Sequence, residues 1–490
     1  MKDYPLYIDG QSIAPSGGQW IETENPYTGR PWARIARGLA ADVDLAVDAA
    51  SRAFEAGPWS RLTASARGAL LWRFADILAA NTARLAELAS ADSGRTRVDM
   101  IGAIRYSAEF FRYFGGLADK IEGGVLPLDQ PDYFNFTLHE PYGVIGAITP
   151  WNNPLLLIVM KLAPGLAAGN TFVLKPHEAA SVCVVEFAAL FKQAGFPDGV
   201  VNVVTGFGAE AGAAVVAHPK IRKLAFTGGE VAGRALYKAA AEDFKPVLLE
   251  LGGKSPTLVF DDANLDNAAK TTIAGMFTGS GQGCLVSSRV LVQEGVYDAF
   301  VARLVQLARA IRLGDPADPQ TEIGPLATAA QFQKVMSYLD LARAEGATVM
   351  TGGAPAAAGG LFVEPTILTD VDNAMRVVRE EIFGPIMACL KFKTEDEAVQ
   401  IANDTPFGLA AGIWTEDMRR ALRVSSRLQA GSVWVNSYRA MSFMSPFGGY
   451  KSSGIGRENG IEAMKEFLQT KSVWFGLGDT APHPFGRAYG

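Results

Sequence analysis

Between positions 143 and 250, short apolar runs alternate with stretches in which apolar residues recur about every three to four positions. This alternation predicts strands at 144–148, 171–174, 200–204, 223–226 and 247–249, separated by helices at 155–166, 178–194 and 231–241. Strands that are apolar on both faces and joined by helices belong to a parallel sheet with both faces covered. A nucleotide-binding type of domain is expected. A second alternating region follows, with helices at 264–277, 297–310, 329–345 and 395–403 and strands at 289–293, 385–392 and 432–436. The fold class is α/β. The run Asp132-Tyr-Phe-Asn-Phe-Thr-Leu-His139 alternates polar and apolar positions and interrupts the first region. Segment 129–139 should therefore leave the body as a hairpin, with Lys471-Ser-Val-Trp-Phe475 pairing to it.

Composition narrows the class. A chain of 490 residues holds roughly two or three domains and a large core. With 49% hydrophobic residues it reads as an ordinary globular enzyme, and a net charge of −6 argues against nucleic acid or an anionic membrane as partner. Three cysteines do not make a disulfide framework, so a reducing compartment is expected. The N-terminal stretch Met1-Lys-Asp-Tyr-Pro-Leu-Tyr-Ile-Asp9 lacks the apolar run of a secretory signal. Window 154–168, the most apolar, is broken by Lys161 and Pro164. Together these features point to a cytoplasmic protein. The four histidines have no metal-ligand spacing, so no metal site is expected.

Candidate chemistry begins at Cys284, in the run Phe277-Thr-Gly-Ser-Gly-Gln-Gly-Cys284, downstream of Glu250-Leu-Gly-Gly-Lys254. A thiol and a carboxylate, each in a glycine-rich segment, suggest a nucleophile and a base, since glycine permits tight turns and close approach. Cys183, on a helical apolar pattern, and Cys389, in a strand-like run, read as core residues. Gly228 and Gly233 lie between a strand and a helix, where backbone N–H groups and the helix dipole can meet a pyrophosphate. Their spacing differs from the G-x-G-x-x-G fingerprint and is a weak signal alone.

These segments resemble those of the NAD(P)-dependent aldehyde dehydrogenases over essentially the whole chain and in that family's order. The resemblance is carried by Pro150-Trp-Asn-Asn-Pro154, Lys175-Pro-His-Glu178, Phe226-Thr-Gly-Gly-Glu-Val-Ala-Gly233, Glu250-Leu-Gly-Gly-Lys254 and Gln282-Gly-Cys284. Glu381-Ile-Phe-Gly-Pro385, Pro446-Phe-Gly-Gly-Tyr-Lys-Ser-Ser-Gly454 and Gly456-Arg-Glu458 complete it. It implies an aldehyde dehydrogenase fold: a Rossmann-like NAD-binding domain over 1–120 and 142–250, and an α/β catalytic domain over 251–450. A small β oligomerisation flap and tail would occupy 121–141 and 468–490.

By the same resemblance, Cys284 is the thiolate that adds to the aldehyde, Asn152 holds the oxyanion, and Glu250 activates water against the thioester; Lys161 and Glu458 match proton-relay positions. Trp151, Lys175, Glu178, Gly208, Thr227, Gly228, Gly229, Gly233, Leu251, Glu381 and Phe383 are the implied cofactor residues. Gly229 stands where many relatives have Ser, so a hydroxyl contact to phosphate is lost. Glu178 favours NAD, with NADP the weaker alternative. Tyr106, Asn153, Met160, Gly283, Leu285, Tyr438 and Met441 would line the substrate tunnel, a mostly apolar set suited to an aromatic or medium-chain aldehyde. Arg105 and Arg439 lie adjacent and could meet a carboxylate-bearing semialdehyde, but a surface role is the better reading for them.

The expected reaction is oxidation of an aldehyde to the free acid by a homo-oligomer, tetramer or dimer. Two alternatives stand beside it: transfer of the acyl group to coenzyme A, and a non-catalytic structural member of the family. The end of the chain, 476–490, has no helical period, and Phe485 or Tyr489 could cap a neighbour's tunnel.

Overall fold

The computed structural model describes residues 1–479. The strands Val247–Glu250, Ile221–Thr227, Val144–Thr149, Thr171–Pro176 and Val201–Val203 lie side by side in that order, all parallel. Antiparallel strands extend the two sides, Leu6–Ile8 with Gln11–Ile13 at one and Gly454–Ile455 at the other. Register pairs Thr227 with Glu250 and Ile148 with Lys175, which aligns the carboxyl ends of the strands along one edge. In open parallel sheets this edge is where ligands bind.

Helix Pro154–Ala167 starts on a proline in its first turn, where the missing N–H is one the helix would leave unpaired anyway. The predicted helix at 178–194 is divided into a turn, Glu178–Ala180, and the helix Val182–Gln193. At the joint the Ser181 hydroxyl donates to the His177 carbonyl at 2.9 Å, an alternative to continuing the helix. Helices Ala64–Ala80, Thr82–Ser93 and Arg97–Leu117, which the periodicity above does not resolve, build a layer against Pro154–Ala167 and Val182–Gln193, while Ala40–Glu55 packs on the sheet itself. An aromatic cluster cements it, with Phe74 stacked on Phe191 at 3.8 Å and edge-on to Phe187 at 5.4 Å.

A second sheet runs in the order Thr348–Thr351, Thr366–Thr369, Ile386–Phe392, Arg289–Gln293, Pro256–Val259, Ala410–Trp414 and Ser432–Val435, parallel except for the first strand. Strand Tyr133–Pro141 pairs antiparallel along its length with Leu468–Gly476, and meets Val125 only in an isolated bridge at Phe136. The expected local hairpin is thus mainly a ribbon with the distant C-terminal strand. Among the described residues no helix is long and apolar enough to cross a membrane. The expectation for Phe485 and Tyr489 lies outside the described residues.

Candidate active site

The aligned strand ends deliver the candidate residues. Asn152 follows Val144–Thr149, Glu178 follows Thr171–Pro176, Gly228 and Gly229 follow Ile221–Thr227, and Leu251 follows Val247–Glu250. A cavity of about 200 Å³ opens there, lined by Trp151, Asn152, Thr227, Gly228, Gly229, Leu251, Glu381, Phe383 and Cys284. Lys175, Glu178 and Gly208 lie outside its wall, and Gly233 lines a neighbouring hollow with Leu251.

Cys284 is held by a chain of tight turns. Gly279 (φ 68°), Ser280 (φ 60°) and Gly281 (φ 69°) are left-handed, and a Cβ on Gly281 would stand 2.4 Å from the Gly384 carbonyl. The Gln282 side chain fixes the loop from both sides, donating to the Gly279 carbonyl at 3.3 Å and accepting from Ala327 N–H at 2.9 Å. Cys284 is partly open to the cavity, yet burial of its sulfur pushes the thiol up to about 12. The Glu381 and Glu250 carboxylates add to the push, and Arg439 opposes it.

Asn152 is buried, and its amide donates to the Gln282 carbonyl at 3.0 Å, which ties it to the cysteine loop. The amide has a second N–H in reserve. Glu250 is buried with neither carboxylate oxygen partnered among the described residues. Burial and the nearby Glu458 charge hold its carboxyl well above the usual range, with Lys161 opposing them. Lys161 is fully buried and links two groups, donating to Thr227 Oγ1 at 2.5 Å and pairing with the equally buried Glu458.

The Gly228–Gly233 side of the cavity is shaped by glycines. A Cβ on Gly228 would meet the Phe226 ring at 2.5 Å, and one on Gly233 would meet Leu251 Cδ2 at 2.5 Å. Gly229 is different: nothing lies within 4 Å of the place its Cβ would take. It caps helix Glu230–Ala241 without a side-chain hydrogen bond, so the first-turn N–H groups remain available to an anion. Lys175 Nζ reaches Glu178 at 3.4 Å. Burial works against the Glu178 carboxylate, but the neighbouring His177 and Lys175 charges outweigh it and hold the group below its usual range. Glu381 accepts from Gly253 N–H at 2.9 Å, while burial pushes its carboxyl up to about 7. Phe383, left-handed at φ 61°, meets Trp151 edge-on at 5.4 Å. Gly208 opens the single helical turn Gly208–Gly212.

The seven residues assigned to substrate do not line that cavity. Tyr106, Met160, Leu285 and Met441 instead belong to one apolar cluster that also takes in Cys284. Cys284 therefore joins the two. Tyr106 is edge-on to Phe110 at 5.2 Å, and its hydroxyl has no partner among the described residues. The Tyr438 hydroxyl donates to the Leu285 carbonyl at 3.0 Å. Gly283 precedes the thiol, and Asn153 caps helix Pro154–Ala167.

Some site residues were not singled out from the sequence. Gln331 donates to the Ile382 and Phe383 carbonyls at 3.0 and 2.7 Å, and Lys334 donates to the Glu381 carbonyl at 2.9 Å. Both line the cavity and pin the Glu381–Phe383 segment. Their three-residue spacing on a helix was visible, but not which face turned inward. Phe443 adds a third ring beside Tyr106 and Tyr113, at 5.8 and 5.3 Å. Of the two arginines, Arg105 is exposed, as the surface reading expects, whereas Arg439 is half-buried with Arg95 as the arginine that acts on it.

The chain matches the Aldehyde dehydrogenase family over residues 13–473. It is 45% identical over 470 residues to Aldehyde dehydrogenase family 2 member C4 of Arabidopsis thaliana, covering 96% of this chain and 94% of that one. The NAD+ complex of an aldehyde dehydrogenase from Bacillus cereus superposes with a TM-score of 0.96 at 42% identity, covering 97% of each chain. Betaine aldehyde dehydrogenase from Staphylococcus aureus, also with NAD+, gives a TM-score of 0.97 at 37% identity, covering 99% of this chain and 97% of that one.

Proposed function

The chain belongs to the aldehyde dehydrogenase family and is an oxidoreductase acting on aldehydes with NAD(P); from that premise we propose that it oxidises an aromatic or medium-chain aldehyde to the free acid through a thioester on Cys284. One observation carries the reading. Cys284 lies at the junction of the cofactor-type cavity and the apolar cluster, with Asn152 tied to its loop and Glu250, buried and without a partner among the described residues, close enough to act on its charge.

The sulfur bonds to the carbonyl carbon, and the oxygen takes the negative charge. The spare N–H of Asn152 and the Cys284 backbone N–H stabilise that charge as hydrogen-bond donors. A thiol raised to about 12 is protonated at neutral pH, so its proton must leave to a base as the bond forms. NAD, when bound by Trp151, Lys175, Glu178, Gly208, Thr227, Gly228, Gly229, Gly233, Leu251, Glu381 and Phe383, supplies the hydride acceptor. The open place at Gly229 and the uncapped first turn behind it fit a pyrophosphate. Glu178, kept ionised, accepts from ribose hydroxyls and repels a 2′-phosphate, which favours NAD. Glu250 takes the proton of the water that cleaves the thioester. Lys161 and Glu458 offer that proton a buried way out past Thr227.

The substrate class rests on Tyr106, Met160, Leu285, Tyr438, Met441 and Phe443, an apolar set with aromatic edges, with Asn153 and Gly283 beside them. Glu250 disfavours release to coenzyme A, because a hydrolytic base in the site would consume the thioester first. The intact set of Cys284, Glu250 and Asn152 disfavours a non-catalytic role.

A homo-oligomer, tetramer or dimer, follows from the ribbon of Tyr133–Pro141 with Leu468–Gly476. A two-stranded ribbon is marginal alone, and this one exposes Phe134, Trp474 and Phe475. The free thiols Cys183 and Cys389 fit a reducing cytoplasm. The test of the whole reading is Cys284→Ala, assayed by NADH formation with an aldehyde panel and by NAD binding. Turnover should vanish with NAD binding retained; surviving turnover would remove Cys284 from its role.

A further inference from the structure

Arg439 places a cation near Cys284 whose Nη1 has no partner among the described residues. The residue follows Tyr438, whose hydroxyl bond to the Leu285 carbonyl ties this loop to the position next to the thiol. Its backbone is left-handed, φ 59°, a conformation that a non-glycine residue holds at a cost and that recurs at ligand sites. Its Nη1 is shielded from solvent and has no hydrogen-bond partner among the described residues. Arg439 and Cys284 are near enough that each acts on the other's charge.

A second guanidinium stands behind it. Arg95 occupies the short link between helices Thr82–Ser93 and Arg97–Leu117, a place fixed by left-handed Gly94 on one side and the Thr96 cap on the other. Its Nη1 faces the Asn152 carbonyl at 3.5 Å and its Nη2 takes Asp99 at 3.3 Å. Asp99 is the carboxylate that acts on Arg439, and it is already committed to Arg95. Two guanidiniums near Cys284 thus share one carboxylate. A half-buried guanidinium with a shielded, unpartnered Nη1 is costly unless a ligand supplies the anion.

We propose that Arg439, backed by Arg95, binds a carboxylate carried by the substrate, so that the preferred aldehyde is an aromatic or medium-chain one bearing a carboxylate away from its carbonyl. A single net charge and the planar fork of a guanidinium match a carboxylate. The inference rests on the aldehyde-oxidation reading above and narrows it.

Para-carboxybenzaldehyde and para-formylbenzamide share a shape and differ in charge. In the wild type, kcat/KM should favour the carboxylate by roughly tenfold or more. Arg439→Met should bring the ratio close to one, and Arg439→Lys should retain part of it. A general effect of Arg439 on the thiol cancels in the ratio. Independently of turnover, the rate of Cys284 alkylation by iodoacetate relative to iodoacetamide, followed by mass spectrometry, should fall roughly tenfold in Arg439→Met.

If benzaldehyde is oxidised but the wild type shows no preference for the carboxylate, the anion site is overturned while the general reading stands. An alkylation ratio unchanged in a folded Arg439→Met protein overturns it too. Should no aldehyde be oxidised while the alkylation ratio still follows Arg439, the anion site stands and the oxidation reading falls. If Arg439→Met does not fold, the wild-type ratio and Arg439→Lys decide the matter.

Discussion

The carbonyl oxygen of Cys284 rests against the Cα of Gly253, so close that a Cβ there would stand 2.4 Å from it. The Cys284 loop is thereby pressed onto the segment that leaves Glu250. A clash with backbone cannot be relieved by rotating a side chain, so Gly253→Ala has to move one of the two segments. Catalytic groups tolerate displacements of only about 0.5 Å. Steady-state kinetics should show kcat/KM reduced roughly tenfold to hundredfold in a protein that still folds. A variant within twofold of the wild type would mean that the loop yields without carrying the sulfur with it.

Glu250→Gln separates the two halves of the reaction. An amide keeps the volume but cannot take a proton from water, so hydrolysis of the thioester should slow more than its formation. Stopped-flow absorbance should show a burst of NADH followed by slow turnover. A uniform slowing with no burst would assign Glu250 to the first half instead. Acceleration of the wild type by coenzyme A, with an acyl-coenzyme A product, would favour the acylating alternative.

Much of this site could be read from the sequence because its residues sit where regular patterns stop. Asn152, Thr227 and Glu250 each lie at or just beyond the end of a strand whose apolar run is unmistakable, and glycines mark the turns that follow. Positions whose meaning depends on packing were harder. Strands Pro256–Val259 and Ala410–Trp414 are short and central, and were not singled out. Gln331 and Lys334 look like any polar pair on a helix until Glu381–Phe383 is laid across them. Arg105 lies on the outer face of its helix, as its surface reading expects. The arginine that acts on Arg439 is Arg95, from the turn before that helix, a relation that no spacing along the chain reveals.

Glu178→Ser should relax the preference for NAD. The carboxylate is ionised and only partly exposed, so a 2′-phosphate near it meets a repulsion of about 1–3 kcal/mol, or roughly tenfold to a hundredfold in relative affinity. The readout is the ratio of kcat/KM for NAD and NADP in the two proteins. An unchanged ratio would place the discrimination elsewhere.

The thiol should reveal its burial without any substrate. With the group pushed up to about 12, the thiolate fraction rises tenfold for each unit of pH across the accessible range. Alkylation of Cys284 by iodoacetamide in the free protein should therefore climb with unit slope from about pH 7 to 10, with no plateau near the value of about 8.5 for an unperturbed cysteine. A plateau near neutrality would mean that the loop stabilises the thiolate in the absence of cofactor.

Glu458 offers a test of charge acting at a distance on Glu250. Burial is the larger reason that the Glu250 carboxyl is raised, and the Glu458 carboxylate is the next. Glu458→Gln removes a like charge, which lowers Glu250. Lys161 goes on opposing burial as before, so the carboxylate form should persist to lower pH. Where hydrolysis limits turnover, the acidic limb of kcat should shift toward lower pH. Breaking a buried pair should also destabilise the fold by about 3–5 kcal/mol, so the profile must be taken well below the melting transition. Lys161→Met removes the opposing cation and should shift the same limb upward. Opposite shifts in the two variants would tie the limb to the charge on Glu250, whereas equal loss of kcat at every pH would leave the pair a structural support.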